Sequence, residues 1–245
     1  MINKTTLSQI DNTHTKHSMR NMITLLGILG AFVPLLVLSF IGTLLGTGSP
    51  LGGMLITLGY ILSVSAATVV LKLQGSNWRV IGLSRPQNWM RTLLLGLGTL
   101  VGAILVINVV TVIALNLPGL AAEPPDVSRF NPMENNLPLL IGYLVLAWTA
   151  IAFGEEMLFR AFLTTQLARL FQSTNANWVL AALGSSLFFG LAHYQEGPVG
   201  ILSNGALGLL LTVVYLRTGR NLWVTIIAHG LLNSLRFVLV FSGVA

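Results

Sequence analysis

Cysteine is absent from the 245 residues. That excludes disulfides, thiolate metal sites and a cysteine nucleophile, and leaves the redox compartment open. Charge is nearly as scarce: 13 Lys and Arg and 7 Asp and Glu make 8% of the chain, against about 25% in a soluble domain. So few charges cannot cover a water-facing surface, which excludes a soluble enzyme, a disordered chain and a nucleic-acid-binding protein. The formal charge of +6 and the pI near 10.3 do not change this, because the basic residues are spread over short loops. Apolar residues are what the chain has in quantity, 54% of it, with a mean hydropathy of +0.81. The class predicted is an all-α, polytopic transmembrane helical bundle of about seven to eight helices, counted as stretches long enough to cross a bilayer.

Residues 1–21 read as a polar, disordered, cytoplasmic N-terminal tail, and 22–245 as a single integral membrane domain whose motif-bearing core is 137–245. Ile23 to Leu45 holds no charge, is too long for a signal-peptide core, and is expected to be a retained helix. A GTGSP turn leads to a second span over Leu51–Leu71, and Thr92–Leu117 is the third. From Leu137 an apolar run continues helix-like to Leu170, as one long helix or as two pieces joined at Gly154; a break there would add an eighth crossing. Trp178–Ala192 is a short fifth span, Val199–Leu216 the sixth and Leu222–Val244 the seventh. Basic residues lie in the tail, in the 72–91 loop, at Arg169 and at Arg217 and Arg220, whereas the 118–136 loop is acidic. By the positive-inside rule the N-terminus is cytoplasmic and the acidic loop lies on the opposite side, with a bacterial-type plasma membrane as the expected location.

Most charges lie in loops, so the exceptions are informative. Glu155 and Glu156 sit inside long apolar sequence, and His193 and His229 lie in helices. Ionisable groups at mid-bilayer cost about 2.5–3.5 kcal/mol on insertion scales and persist where they pair or line a wet cavity. Glu156 and Arg160 are spaced i,i+4 and share a face, while Glu155 points about 100° away. Phe189 and His193 repeat that spacing, as do His229 and Asn233. Three helices thus present Glu, His, His and Asn beside an internal Glu–Arg pair. A buried glutamate suits a general base. A histidine facing it can hold a water, and a second histidine with an asparagine can donate to a developing oxyanion. The chemistry indicated is amide hydrolysis by activated water, without a covalent intermediate. Ser185, Ser186, Ser203 and Ser234 are not in a nucleophile-elbow sequence. Glu196, in a QEGP turn, reads as a solvated loop acid; Arg236 as a snorkelling or carboxylate-neutralising cation; Gly200, Gly205 and Gly208 as helix-packing contacts. Counted from the expected cytoplasmic ends, Glu155 and His193 lie ~22 Å deep but His229 only ~13 Å, a mismatch that tilted or broken helices would have to absorb.

These residues also carry a family resemblance. GEEMLFR at 154–160 resembles the E-E-x-x-x-R motif of the CPBP (CaaX-processing and bacteriocin-processing, or Abi) membrane proteases, which include the Ras-converting type II CaaX endopeptidase. FGLAH at 189–193 is similar to the family's F-x-x-x-H, and HGLLN at 229–233 to its H-x-x-x-N. The resemblance implies an intramembrane glutamate-type endopeptidase. In it Glu155 activates water with His193, His229 and Asn233 form the oxyanion site, Glu156 and Arg160 support and orient, and Phe189 packs alongside. It implies no cofactor, a lipid bilayer environment and a membrane-associated protein or peptide substrate, CaaX-type prenylated or bacteriocin-like. Two alternatives stay open: a zinc-dependent version with Glu155, His193 and His229 as metal ligands, and a non-catalytic immunity or binding protein. A proton-coupled transporter would call for inverted repeats, and none is convincing here.

Overall fold

The computed structural model describes residues 4–46, 49–118, 123–170 and 174–244. Parts of the expected tail, the GTGSP turn and the acidic loop therefore lie outside the described residues. Seven helical passes follow one another: α1 (Lys4–Leu44), α2 (Pro50–Leu73), α3 (Trp89–Leu115), α4 (Leu137–Leu170), α5 (Asn175–Ala192), α6 (Gly197–Arg217) and α7 (Leu222–Phe241). Six of them are long and apolar enough to span a membrane, and α5 is the shorter one. The chain is an integral membrane protein, and among the described residues it contains no strand. α1 starts at Lys4, so residues 4–21, expected to be disordered, are helical backbone continuous with the first span. The reason is local: no proline or glycine interrupts 4–26, and helix propagation costs little once a nucleus exists.

The starts of the helices are written in the sequence. Ser49 caps α2 by accepting from Gly52 N–H at 3.0 Å. Asn88, Asn136 and Asn221 cap α3, α4 and α7 through their side-chain oxygens. Pro50, Pro138 and Pro198 stand in first turns, where a missing N–H costs nothing.

α4 is continuous through Gly154, so the two-piece reading and its eighth crossing do not hold. Instead, the helix widens to π geometry at Ala147–Ile151 and again at Glu156–Leu163. Such segments are rare and recur at functional sites. The Thr164 hydroxyl donates to the carbonyl five residues back, at Phe159. Gly154 does not interrupt the helix, and a Cβ added there would stand in ordinary contact with the Tyr60 ring, 3.6 Å from Cδ1.

The passes alternate in direction, and contacts between their connections define two ends. At one end Gln74 and Gln166 exchange hydrogen bonds and Arg169 reaches Gln74. There Asn221 also donates to Thr92, Trp223 to the Ser84 carbonyl and Leu222 N–H to Gly82, and Arg220 lies over Trp178. At the other end Gln195 donates to Thr43 at 2.8 Å, Asn135 N–H to the Phe241 carbonyl and Asp126 N–H to the Glu196 carbonyl.

The outer faces carry exposed Leu26, Leu36, Phe40, Leu105, Val112 and Val179, the inverse of a soluble surface. Lipid gives helices no hydrophobic reason to associate, so small residues and close packing do that work. α5 and α6 meet at Gly190, Gly205 and Gly208. A Cβ on Gly190 would stand 2.6 Å from the Ile201 carbonyl oxygen, and one on Gly208 3.1 Å from the Phe189 ring. Gly200 differs, because it makes room for Glu196 of the preceding turn. Gly190→Val therefore separates the two helices. The expected loss is about 1–3 kcal/mol, the usual cost of overpacking, read as a lower unfolding temperature in detergent.

Candidate active site

α4, α5 and α7 bring their polar residues to one cavity of about 500 Å³, lined by Glu155, His193, His229 and Asn233 among others. Glu155 and His229 are each 4% exposed, and Glu156 and Arg160 are fully buried. His229 lies between the two glutamates. Its Nδ1 is 2.8 Å from Glu156 Oε1, and its Nε2 is 3.7 Å from Glu155 Oε2. Glu156 also pairs with Arg160, Nη1 to Oε1 at 3.2 Å. The carboxylate of Glu156 is an acceptor, so Nδ1 carries the proton and Nε2 is turned to Glu155 and the cavity.

Glu155, His193 and His229, placed at unequal depths by counting, line one cavity. α4 has 34 residues where about 20 cross a bilayer, so counting from Leu170 overstates how deep Glu155 lies. The two glutamates diverge as their spacing requires. Glu156 faces Arg160 and His229, whereas Glu155 borders the cavity.

His193 closes the end of α5. Its Nδ1 is 2.8 Å from the Phe189 carbonyl, which places the proton on Nδ1 and leaves Nε2 as acceptor. The Phe189 ring lies 4.7 Å from the His193 ring, and the Arg160 guanidinium stacks over it at 3.9 Å, a cation–π contact that helps hold a buried charge. Phe189 also meets His229 edge-on at 6.1 Å. It therefore touches the groups that hold the site together while staying out of the cavity lining. The hydroxyls of Ser185, Ser186, Ser203 and Ser234 all donate to helix carbonyls.

Two features escape a sequence reading. Tyr60, from α2, donates its hydroxyl to Glu155 Oε1 at 2.6 Å. The signal for it was present but mute: a phenol inside an otherwise apolar span needs a partner, yet nothing in the chain names which one. With Oε1 so engaged, Glu155 Oε2 has no hydrogen-bond partner among the described residues. Tyr60→Phe removes a hydrogen bond to a charged group, worth about 1.5–3 kcal/mol. Turnover is expected to fall about tenfold or more, as seen in kcat at saturating substrate.

Glu196 is the second feature, and here the expectation of a solvated acid is wrong. It is 3% exposed, paired with Arg129 at 2.6 Å, faced by Arg236 at 3.6 Å, and its other oxygen accepts from Asn204 at 2.9 Å. The 123–136 loop folds back over the 194–196 turn and supplies Arg129, a pairing between distant segments that no local pattern encodes. Arg236 thus has its carboxylate, and both arginines and Glu196 line the cavity.

Residues 137–235 match the model of a family described as type II CAAX prenyl endopeptidase Rce1-like. No curated protein and no solved structure matches the chain. The matched segment runs from the first residue of α4 into α7 and contains Glu155, Glu156, Arg160, Phe189, His193, His229 and Asn233. α1, α2 and α3 lie outside the match, although α2 supplies Tyr60. Among the described residues no three His, Asp or Glu side chains are grouped to hold a metal ion. The Nδ1 atoms of both site histidines are already engaged, by Glu156 and by the Phe189 carbonyl.

Proposed function

We propose that the chain is a glutamate-type intramembrane endopeptidase that hydrolyses a peptide bond in a membrane-associated protein or peptide without a metal cofactor. One observation carries this reading. A single buried imidazole, His229, stands between two carboxylates, and only one of these, Glu155, borders the cavity, with its Oε2 making no hydrogen bond among the described residues.

In the proposed reaction Glu155 Oε2 takes a proton from water, and His193 Nε2 helps to hold that water. The water oxygen bonds to the scissile carbonyl carbon, and the carbonyl π electrons move to oxygen. His229, which turns Nε2 to the cavity, and the Asn233 carboxamide stabilise that oxyanion. The carbonyl then re-forms, the C–N bond breaks, and the proton held by Glu155 passes to the departing amine. Tyr60 fixes the base through Oε1, Glu156 orients His229, and Arg160 balances Glu156. In this reading residues 22–245 act as one membrane domain, with the basic N-terminus in the cytoplasm of a bacterial-type plasma membrane.

The test uses purified chain in detergent and a set of quenched, membrane-anchored peptides, some prenylated and some not, with and without chelator. Cleavage that persists in chelator and is lost in His193→Ala supports the proposal. Cleavage abolished by chelator and restored by zinc replaces it with a metalloprotease. No cleavage of any peptide favours a binding protein.

A further inference from the structure

The distribution of charge along the bundle bears on where substrate comes from. Ten of the thirteen lysines and arginines belong to one end: three in the segment before the first span, four over residues 72–91, and Arg169, Arg217 and Arg220. The hydrogen bonds joining Gln74 to Gln166, Asn221 to Thr92 and Trp223 to Ser84 gather the loop segments at this end. Arg160 is buried mid-helix. The opposite end has only Arg129 and Arg236, against Glu123, Asp126, Glu134 and Glu196. Lysines and arginines flanking spans orient a membrane protein with the richer side in the cytoplasm, and ten against two is a strong bias.

The cavity belongs to the other end. From Glu155, Tyr60 and His229 its lining runs to Gly53, Pro125, Arg129 and Gln195. None of its described lining residues comes from 72–91, 164–178 or 217–222. We infer that the cavity opens to the non-cytoplasmic face, and that the substrate is a translocated one. That means the apolar juxtamembrane segment of an exported protein, or an exported peptide seated in the outer leaflet. A lipid-anchored tail on the cytoplasmic leaflet would meet the basic end, where the pocket between residues 84–95 and 217–221 includes neither the glutamates nor the histidines of the site. The inference rests on the proteolytic reading for what happens at the site, but its geometry does not.

The absence of cysteine supplies the test. Single cysteines replace exposed residues at each end, Asp126→Cys and Glu123→Cys at one, Arg85→Cys and Arg79→Cys at the other. Intact cells expressing the full chain are treated with a membrane-impermeant maleimide before or after permeabilisation. The expected result is labelling of the 123 and 126 variants in intact cells and of the 79 and 85 variants only after permeabilisation. The reverse pattern, or equal labelling of both ends in intact cells, overturns the inference. A second arm adds quenched peptide to the outside of right-side-out and of inverted vesicles. Cleavage in right-side-out vesicles alone supports the inference, and cleavage in inverted vesicles alone overturns it. Expected labelling with no cleavage in either leaves the orientation standing and sinks the proteolytic reading instead.

Discussion

Glu155→Gln is expected to lower kcat by about 10²–10⁴, the range that a positioned general base contributes, with KM little changed. The substitution isolates basicity. Glutamine keeps the length of the side chain and an oxygen able to accept from Tyr60, which now holds Glu155 Oε1 at 2.6 Å. His229 keeps its anchor on Glu156 at 2.8 Å, and the Glu156–Arg160 pair is untouched. A loss confined to kcat marks an interaction made in the transition state rather than in binding. Glu155→Asp retains the carboxylate but withdraws it by one methylene, and an intermediate rate is expected. Turnover in Glu155→Gln equal to that of the unaltered chain would falsify the assignment.

Arg160→Met is expected to damage the fold rather than a single step. Arg160 and Glu156 are both fully buried and joined at 3.2 Å. Removing one partner of such a pair costs about 3–5 kcal/mol, because the other charge is left without compensation. For a chain of this size that is on the order of 10 °C in unfolding temperature. The stacking of the guanidinium on Phe189 at 3.9 Å is lost with it. The double variant Glu156→Leu, Arg160→Met separates stability from chemistry. Exchanging both charges for apolar groups is often neutral or stabilising, so the unfolding temperature should recover. Activity should not, because His229 loses the carboxylate that sets its Nδ1. Recovery of both would reduce Glu156 to a packing element.

The helices and the identity of the convergent residues were legible because each is a local pattern. Apolar runs of bilayer length give the spans, asparagine caps give their starts, and i,i+4 spacing puts Glu156 on Arg160 and Phe189 under His193. What local pattern cannot carry is a contact between segments far apart in sequence. Tyr60 reaches Glu155 across 95 positions, and Arg129 reaches Glu196 across 67. Hydropathy counts Glu196 as a turn residue because it ends one apolar stretch and begins another; its burial comes from a loop that returns to cover it. The π-helical widening of α4 was hidden for a different reason. Nothing in GEEMLFR distinguishes a turn closed at i+4 from one closed at i+5, and the choice is made by packing against α2, α5 and α7. A short, glycine-bearing run reads locally as a possible break, whereas the helix accommodates its site by changing pitch.

The brevity of α5 reaches beyond the protein itself. Its apolar stretch, Ala176–Ala192, rises only about 26 Å in a hydrocarbon layer of about 30 Å, and it ends at His193. Lipid on that flank has to thin to meet it, bringing head groups and bulk solvent down towards the imidazole. On the proteolytic reading, the bilayer around α5 becomes a working part of the site, and acyl-chain length a control on the rate of cleavage. Reconstitution across a series of phosphatidylcholines is expected to give faster cleavage in the shorter-chain members, and a flat profile would show that the solvent route is built from protein alone.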